Sequence, residues 1–190
     1  MTAPLRSFDH VAVAVRSLER ALDLFMGALG ARLVGGGDNH RIQVRSAQVG
    51  LEPGVKFELL SPLDEDSWLN GYLAKHGEGF HHVTFYVDDV LVTESAIQDA
   101  GYLTVDTDLS YPSWEETFTR PGSSYGCLLQ FSRPRTPWPK SGVEGITVDD
   151  ILAGRILMQE GDMWWLETGE PIWPPGGPDW RTFEDVVKPE

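Results

Sequence analysis

Two pairs of residues in this chain carry metal-ligand chemistry at one repeating interval: His10 and His82 lie 72 positions apart, and so do Glu58 and Gln130. Imidazole nitrogens with carboxylate or amide oxygens suit zinc, iron(II), cobalt, nickel or manganese, and the mixture does not choose among them. Each of the four falls in a short strand-like run, at 9–15, 56–60, 81–87 and 127–131. A module that offers one donor from its first strand and one from its last, present twice, can surround a single ion, so one divalent metal ion is the expected cofactor. A lone histidine at the start of a strand is more often only a hydrogen-bonded structural residue. The coincidence of both pairs is what raises the metal reading above that. His81, His40 and His76 have no histidine at the interval and stay outside the expected set.

Side chains alternate between the faces of a strand, so each candidate is checked against its neighbours. His10 shares a face with Ala12 and Ala14, opposite Val11, Val13 and Val15, and Glu58 lies opposite Phe57 and Leu59. His82 goes with Thr84 and Tyr86, opposite Val83, Phe85 and Val87, while Gln130 goes with Ser132, opposite Leu129 and Phe131. All four point away from the apolar stripe that helices should cover, and are expected to share a polar cavity. Arg41, Gln43 and Arg45 alternate in the same sense. Gln43, Arg45 and Tyr86 are therefore read as substrate-binding positions, and Arg41, Arg45 and Lys56 as a local basic rim. Tyr86 and Tyr125 are candidate acids, although packing is the commoner role for either.

The elements that would position these residues occur twice. In the first copy a strand runs to Val15, Ser17 caps a helix over 18–26 that Gly27 and Gly30 end, and strands follow at 32–34, 41–47 and 55–60. The run Gly35-Gly36-Gly37-Asp38-Asn39 reads as a turn. The second copy has a strand at 80–87, a helix at 90–100 stopped by Gly101, and strands at 103–106, 116–119 and 126–132. The expected fold class is α+β: a βαβββ module over 1–60, a connector over 61–79 with a short helix at 68–75, a second module over 80–133, and a Trp/Pro-rich extension over 134–190. In the extension, 147–158 reads as one helix. Trp164, Trp165, Trp173 and Trp180 are expected to pack on the body or on a second subunit, which leaves room for a homodimer; a lid over the cavity is the alternative.

With 29 acidic against 15 basic residues the formal charge is −14, which repels phosphate backbones and anionic lipid. Nucleic acid and membrane are therefore excluded as expected partners, and a small-molecule substrate remains. No export signal precedes the first strand-like run and no stretch approaches ~18 apolar residues, so a soluble cytoplasmic protein is expected. Cys127 is the sole cysteine, which excludes an internal disulfide and a thiolate-built zinc site. Its apolar surroundings suggest a buried, inert thiol.

The repeated pattern with His10, Glu58, His82 and Gln130 resembles the vicinal oxygen chelate superfamily, which includes glyoxalase I, extradiol dioxygenases, fosfomycin and bleomycin resistance proteins and methylmalonyl-CoA epimerase. The resemblance covers about residues 7–132 and is closest to the epimerases, whose motifs are matched in order by the segments 9–15, 57–63 and 77–83. It implies a metal-dependent lyase or isomerase acting through an enolate-like intermediate on a small carbonyl or acyl-CoA-type substrate. Glu58 is then the expected base, and Gln130 occupies the position where these enzymes usually carry a glutamate. An amide cannot accept a proton at neutral pH, so the resemblance implies one-base rather than two-base chemistry. Two further readings are a protein that sequesters an aromatic or drug-like ligand without turnover, and a metal-dependent dioxygenase.

Overall fold

A computed structural model describes residues 5–52, 54–139, 142–159, 161–178 and 182–187. The fold is α+β and contains the two βαβββ copies. The first is β1 (Ser7–Ala14), α1 (Leu18–Leu22), β2 (Arg32–Asn39), β3 (Val44–Leu51) and β4 (Val55–Pro62). After the connecting helix α2 (Trp68–His76) come β5 (Gly79–Tyr86), α3 (Val90–Asp99), β6 (Thr104–Asp108), β7 (Trp114–Thr119) and β8 (Leu129–Pro134). Shifting β1 by 72 lands on β5 end to end, and the same shift carries the first residues of α1 and β2 onto those of α3 and β6. Even the caps correspond. Ser17 accepts from the Arg20 amide at the start of α1, and Asp89, 72 residues on, accepts from the Val92 amide at the start of α3.

Two expectations about the first copy are corrected. α1 continues as a π-helical turn over Asp23–Ala28, so Gly27 lies inside the helical stretch and the chain reverses only at Gly30, whose φ is 74°. The run at 35–39 is not a turn but the second half of β2. A Cβ on Gly36 would sit 2.3 Å from the Ser46 carbonyl oxygen, and one on Gly37 would sit 2.6 Å from that of Ile156. The glycines are there because neighbouring backbones approach too closely for a side chain.

The chain packs as two compact units. One comprises the chain up to Ala12 with Phe80–Trp138, the other Val13–Gly79 with the chain from Pro139 onward. In the first unit the strand order is β1-β5-β8-β7-β6, and one sheet face is apolar: Val87, Val90 and Phe131 are buried together with Phe85, Ile97 and Leu129 around them. The opposite face carries His10, His82, Thr84, Gln130 and Ser132, all buried. Buried polar side chains are the informative exception in a protein interior, and here they cluster on one face.

In the second unit the order continues past the module, as β11-β10-β9-β2-β3-β4. The helix expected at 147–158 is instead α4 (Val148–Leu152) followed by β9 (Ile156–Gln159), because Gly154 at φ 67° turns the chain into a strand that pairs in parallel with β2. β10 (Asp162–Trp165) and β11 (Pro171–Trp173) extend the ladder, with Trp164 buried against Leu157, Val186 and Phe183 of α5 (Phe183–Val187). Trp180 lies outside the described residues. Among those residues no helix is long and apolar enough to cross a membrane. Because Gly37 is the point of closest approach to β9, Gly37→Ala is expected to lower stability by about 1–3 kcal/mol, the usual range for overpacking. Thermal unfolding measures it, and an unchanged midpoint would show that β9 yields without cost.

Candidate metal centre

The centre is built in the first unit by register. β5 and β8 run parallel with Thr84 level with Gln130, and β7 runs antiparallel to β8 with Phe118 opposite Gln130 and Glu116 opposite Ser132. Level residues share a face and diagonal ones are within reach of long side chains. β1 contributes His10. The His10 and His82 rings are 2% and 6% exposed and meet edge to face, with centroids 5.5 Å apart.

Each imidazole is anchored through Nδ1. His10 Nδ1 lies 2.7 Å from Asp9 Oδ2, and His82 Nδ1 lies 2.7 Å from His81 Nδ1. Metal-ligating histidines are held in this way, by a partner on the nitrogen that does not face the ion. Nε2 is then the nitrogen each ring would offer an ion, and at His10 ligation would take the place of the contact between Nε2 and the Thr84 hydroxyl oxygen. Two buried imidazoles, oriented from behind and bordered by an amide, fit a divalent ion chemically. Asp9 and His81 are themselves 72 residues apart. His81 therefore does have a counterpart at the interval, an aspartate in the same anchoring place.

A continuous run of hydrogen bonds extends from His10. Its Nε2 lies 2.9 Å from Thr84 Oγ1, the Thr84 hydroxyl donates to Gln130 Oε1 at 2.5 Å, and Gln130 Nε2 donates to Glu116 Oε2 at 2.6 Å. The Trp114 indole N–H donates to the same carboxylate oxygen at 2.8 Å. The edge of Phe118 closes the space beside His82, with centroids 6.2 Å apart. Glu116 was not expected from the sequence, since the residue 72 positions before it is Val44. The available signal was its period-two position in β7, two residues from the one that faces Gln130.

In the second unit Glu58 sits on β4 opposite Gln48 of β3, whose Nε2 donates to Glu58 Oε1 at 3.3 Å. Gln48 is buried, and its Oε1 has no hydrogen-bond partner among the described residues. It too was unexpected. Gln43 is spent locally: in the turn before β3, at φ 54°, its amide donates to the His40 carbonyl. Arg45 grips both carboxylate oxygens of Asp38 and donates to the Leu152 carbonyl, tying α4 to β2 and β3. The hydrogen bond to Asp38 raises its pKa above the ordinary arginine value. Lys56 is buried and so does not belong to an exposed basic rim.

Tyr86 packs edge-on against Trp114 and its hydroxyl accepts from the Trp138 amide at 3.4 Å. Tyr125 is 90% exposed, with its hydroxyl beside that of Tyr102, and belongs to the surface. The expectation of a buried Cys127 is also corrected. Residue 127 precedes β8, outside the ladder, and is partly exposed.

Comparison with known proteins places the fold. The sequence profile of the Glyoxalase/Bleomycin resistance protein/Dioxygenase superfamily matches residues 9–115. The chain belongs to this superfamily. The ethylmalonyl-CoA/methylmalonyl-CoA epimerase of Cereibacter sphaeroides is 30% identical over 129 residues, spanning 66% of this chain and 96% of that enzyme. Among solved structures, methylmalonyl-CoA epimerase from Mycobacterium tuberculosis superposes with a TM-score of 0.63 at 25% identity, over 72% of this chain and 93% of that one. A Streptomyces coelicolor methylmalonyl-CoA epimerase variant in complex with 2-nitronate-propionyl-CoA gives a TM-score of 0.61 at 25% identity, over 72% and 99%.

The anchoring of His10 leads to a direct test. Asp9→Asn should weaken zinc binding to metal-stripped protein about tenfold, the low end of the effect of losing such a partner, while His10→Ala and His82→Ala should abolish tight binding with the fold retained. Calorimetric titration reads both. Stoichiometric zinc in either alanine variant would remove these histidines from the ligand set.

Proposed function

We propose that the protein is a metal-dependent isomerase in which Glu58 removes the proton on the carbon next to the carbonyl of an acyl-CoA-type thioester and the enolate is reprotonated on its other face by a solvent proton. The buried, back-anchored histidine pair carries this reading, and it stands on a superfamily scaffold whose similar members are named as epimerases of acyl-CoA substrates. His10 and His82 would hold the ion through Nε2, with Glu58 and Gln130 as oxygen donors on the last strands of their copies. A bound divalent ion supplies Lewis acidity to a substrate carbonyl and so stabilises negative charge that develops on its oxygen.

The remaining work falls to side chains of this chain. Glu58 is the proposed base, because of the ligand positions it alone is a carboxylate and Gln130 cannot take a proton. Gln48, donating to Glu58, holds that carboxylate in place. The polar face around Thr84, Gln130 and Ser132 keeps a dry, hydrogen-bonded wall in which charge is poorly screened. The comparisons favour neither the sequestering protein nor the dioxygenase.

The experiment is deuterium incorporation. Metal-replete protein incubated with methylmalonyl-CoA or propionyl-CoA in deuterated water should place deuterium at the α-carbon, read by NMR. Stripping the ion should stop it, and Glu58→Gln should slow it at least ~100-fold, the lower bound for losing a general base. No exchange by the replete protein on either thioester would overturn the assignment of substrate class. Exchange unaffected by Glu58→Gln would move the base elsewhere.

A further inference from the structure

We infer that Glu116 is a positioning residue that acts through Gln130, fixing which end of the amide faces the histidines and returning to the centre part of the negative charge that an amide lacks. The inference rests on the metal-site reading above. An amide has a donor end and an acceptor end of nearly equal size, and shape alone does not orient it. A carboxylate decides the matter. Glu116 Oε2 accepts from the Trp114 indole and, at 2.6 Å, from the Gln130 NH2, so Oε1 is turned to the side of Thr84 and His10.

The lock has two bolts. On one side the Thr84 hydroxyl donates to Oε1, and on the other the Trp114 indole, a donor only, holds Glu116 Oε2 at 2.8 Å. Trp114 is itself buried and packed edge-on against Tyr86, so the carboxylate is attached to a rigid ring. The register explains why this residue is the one involved. Phe118 is level with Gln130 and too apolar to help, while Glu116, one same-face step along β7, reaches it diagonally.

The chemical effect follows from charge assistance. An N–H that donates to a carboxylate makes a shorter, stronger bond than one donating to a neutral group, and the amide is polarised so that electron density moves toward its oxygen. Oε1 becomes a better oxygen donor than that of a solvated glutamine. A centre with an amide at position 130 thus retains a carboxylate one hydrogen bond further out, just as Asp9 stands behind His10.

The test is titration of metal-stripped protein with cobalt(II), reading affinity by calorimetry and ligand field by visible absorption. Glu116→Gln keeps the shape but loses the charge and the ability to dictate the amide's direction, and should bind cobalt about tenfold more weakly with a shifted spectrum. Glu116→Asp, which keeps the charge on a shorter arm, should fall between that variant and the natural protein. In a Gln130→Ala background Glu116→Gln should change nothing further, because the route through the amide is gone. Far-UV circular dichroism and thermal unfolding identify folded variants, and should Glu116→Gln not fold, Glu116→Asp carries the comparison in both backgrounds. Wild-type affinity and spectrum in both Glu116 variants would overturn the inference and leave the metal reading standing. Equal losses with and without Gln130 would overturn it too, by showing that Glu116 acts on its own. A natural protein that binds no cobalt would remove both readings.

Discussion

Everything around the candidate centre depends on the burial of two imidazoles side by side. A polar ring removed from water is costly unless its nitrogens find partners, and His10 and His82 are almost completely enclosed. That requirement dictates the neighbours. Asp9 and His81 take up the Nδ1 atoms, Thr84 stands beside His10 Nε2, and Thr84 in turn needs the Gln130 oxygen, whose amide then needs Glu116. A single decision to bury two histidines propagates through four strands of the first unit as a set of obligatory polar contacts. The apolar face under α3 is where that unit gains its hydrophobic stabilisation, so the sheet divides its labour by face.

What could be read from the sequence was whatever the duplication copied. Strand β1 maps onto β5, Ser17 onto Asp89 and His10 onto His82, since each is a local choice that both copies need. What could not be read belongs to one copy only. Glu116 has Val44 at its counterpart position, and its importance arises from a diagonal between β7 and β8 that no local pattern encodes. The same is true of Gly36 and Gly37. Glycine runs usually signal a turn, and here they signal a crowded ladder, with Ser46 of β3 pressed against Gly36 and Ile156 of β9, far along the chain, pressed against Gly37. Arg45 looked like a ligand-binding cation by parity, but Asp38 and the tail carbonyl of Leu152 claim it.

The copies have also diverged in their polar detail. Across its hairpin Glu58 faces the amide of Gln48, whereas Gln130 faces the ring of Phe118. A carboxylate opposite an amide is supplied with a donor, while an amide opposite a phenyl ring must look diagonally for its partner. The anchors differ likewise, with a carboxylate behind His10 and an imidazole behind His82. Two equivalent positions have thus been given unequal electrostatic support, a carboxylate supplied with a donor in one copy and an amide held by a carboxylate in the other.

The extension beyond the second copy has a consequence for the lifetime of the protein in a crowded cell. β9 pairs with β2 at Asp38, at the glycine-rich end of the strand, and without β9 to β11 that end would lie at the outer rim of its sheet with its amides and carbonyls open to a passing strand. The tail replaces that rim with β11, three residues long, beginning at Pro171 and followed by Pro174, a terminus at which further strand addition stops. Segments outside the repeated modules are tempting to trim when such proteins are shortened for expression. Here trimming would convert a closed sheet margin into an adhesive one, and the loss would appear as insoluble protein before any effect on chemistry could be measured.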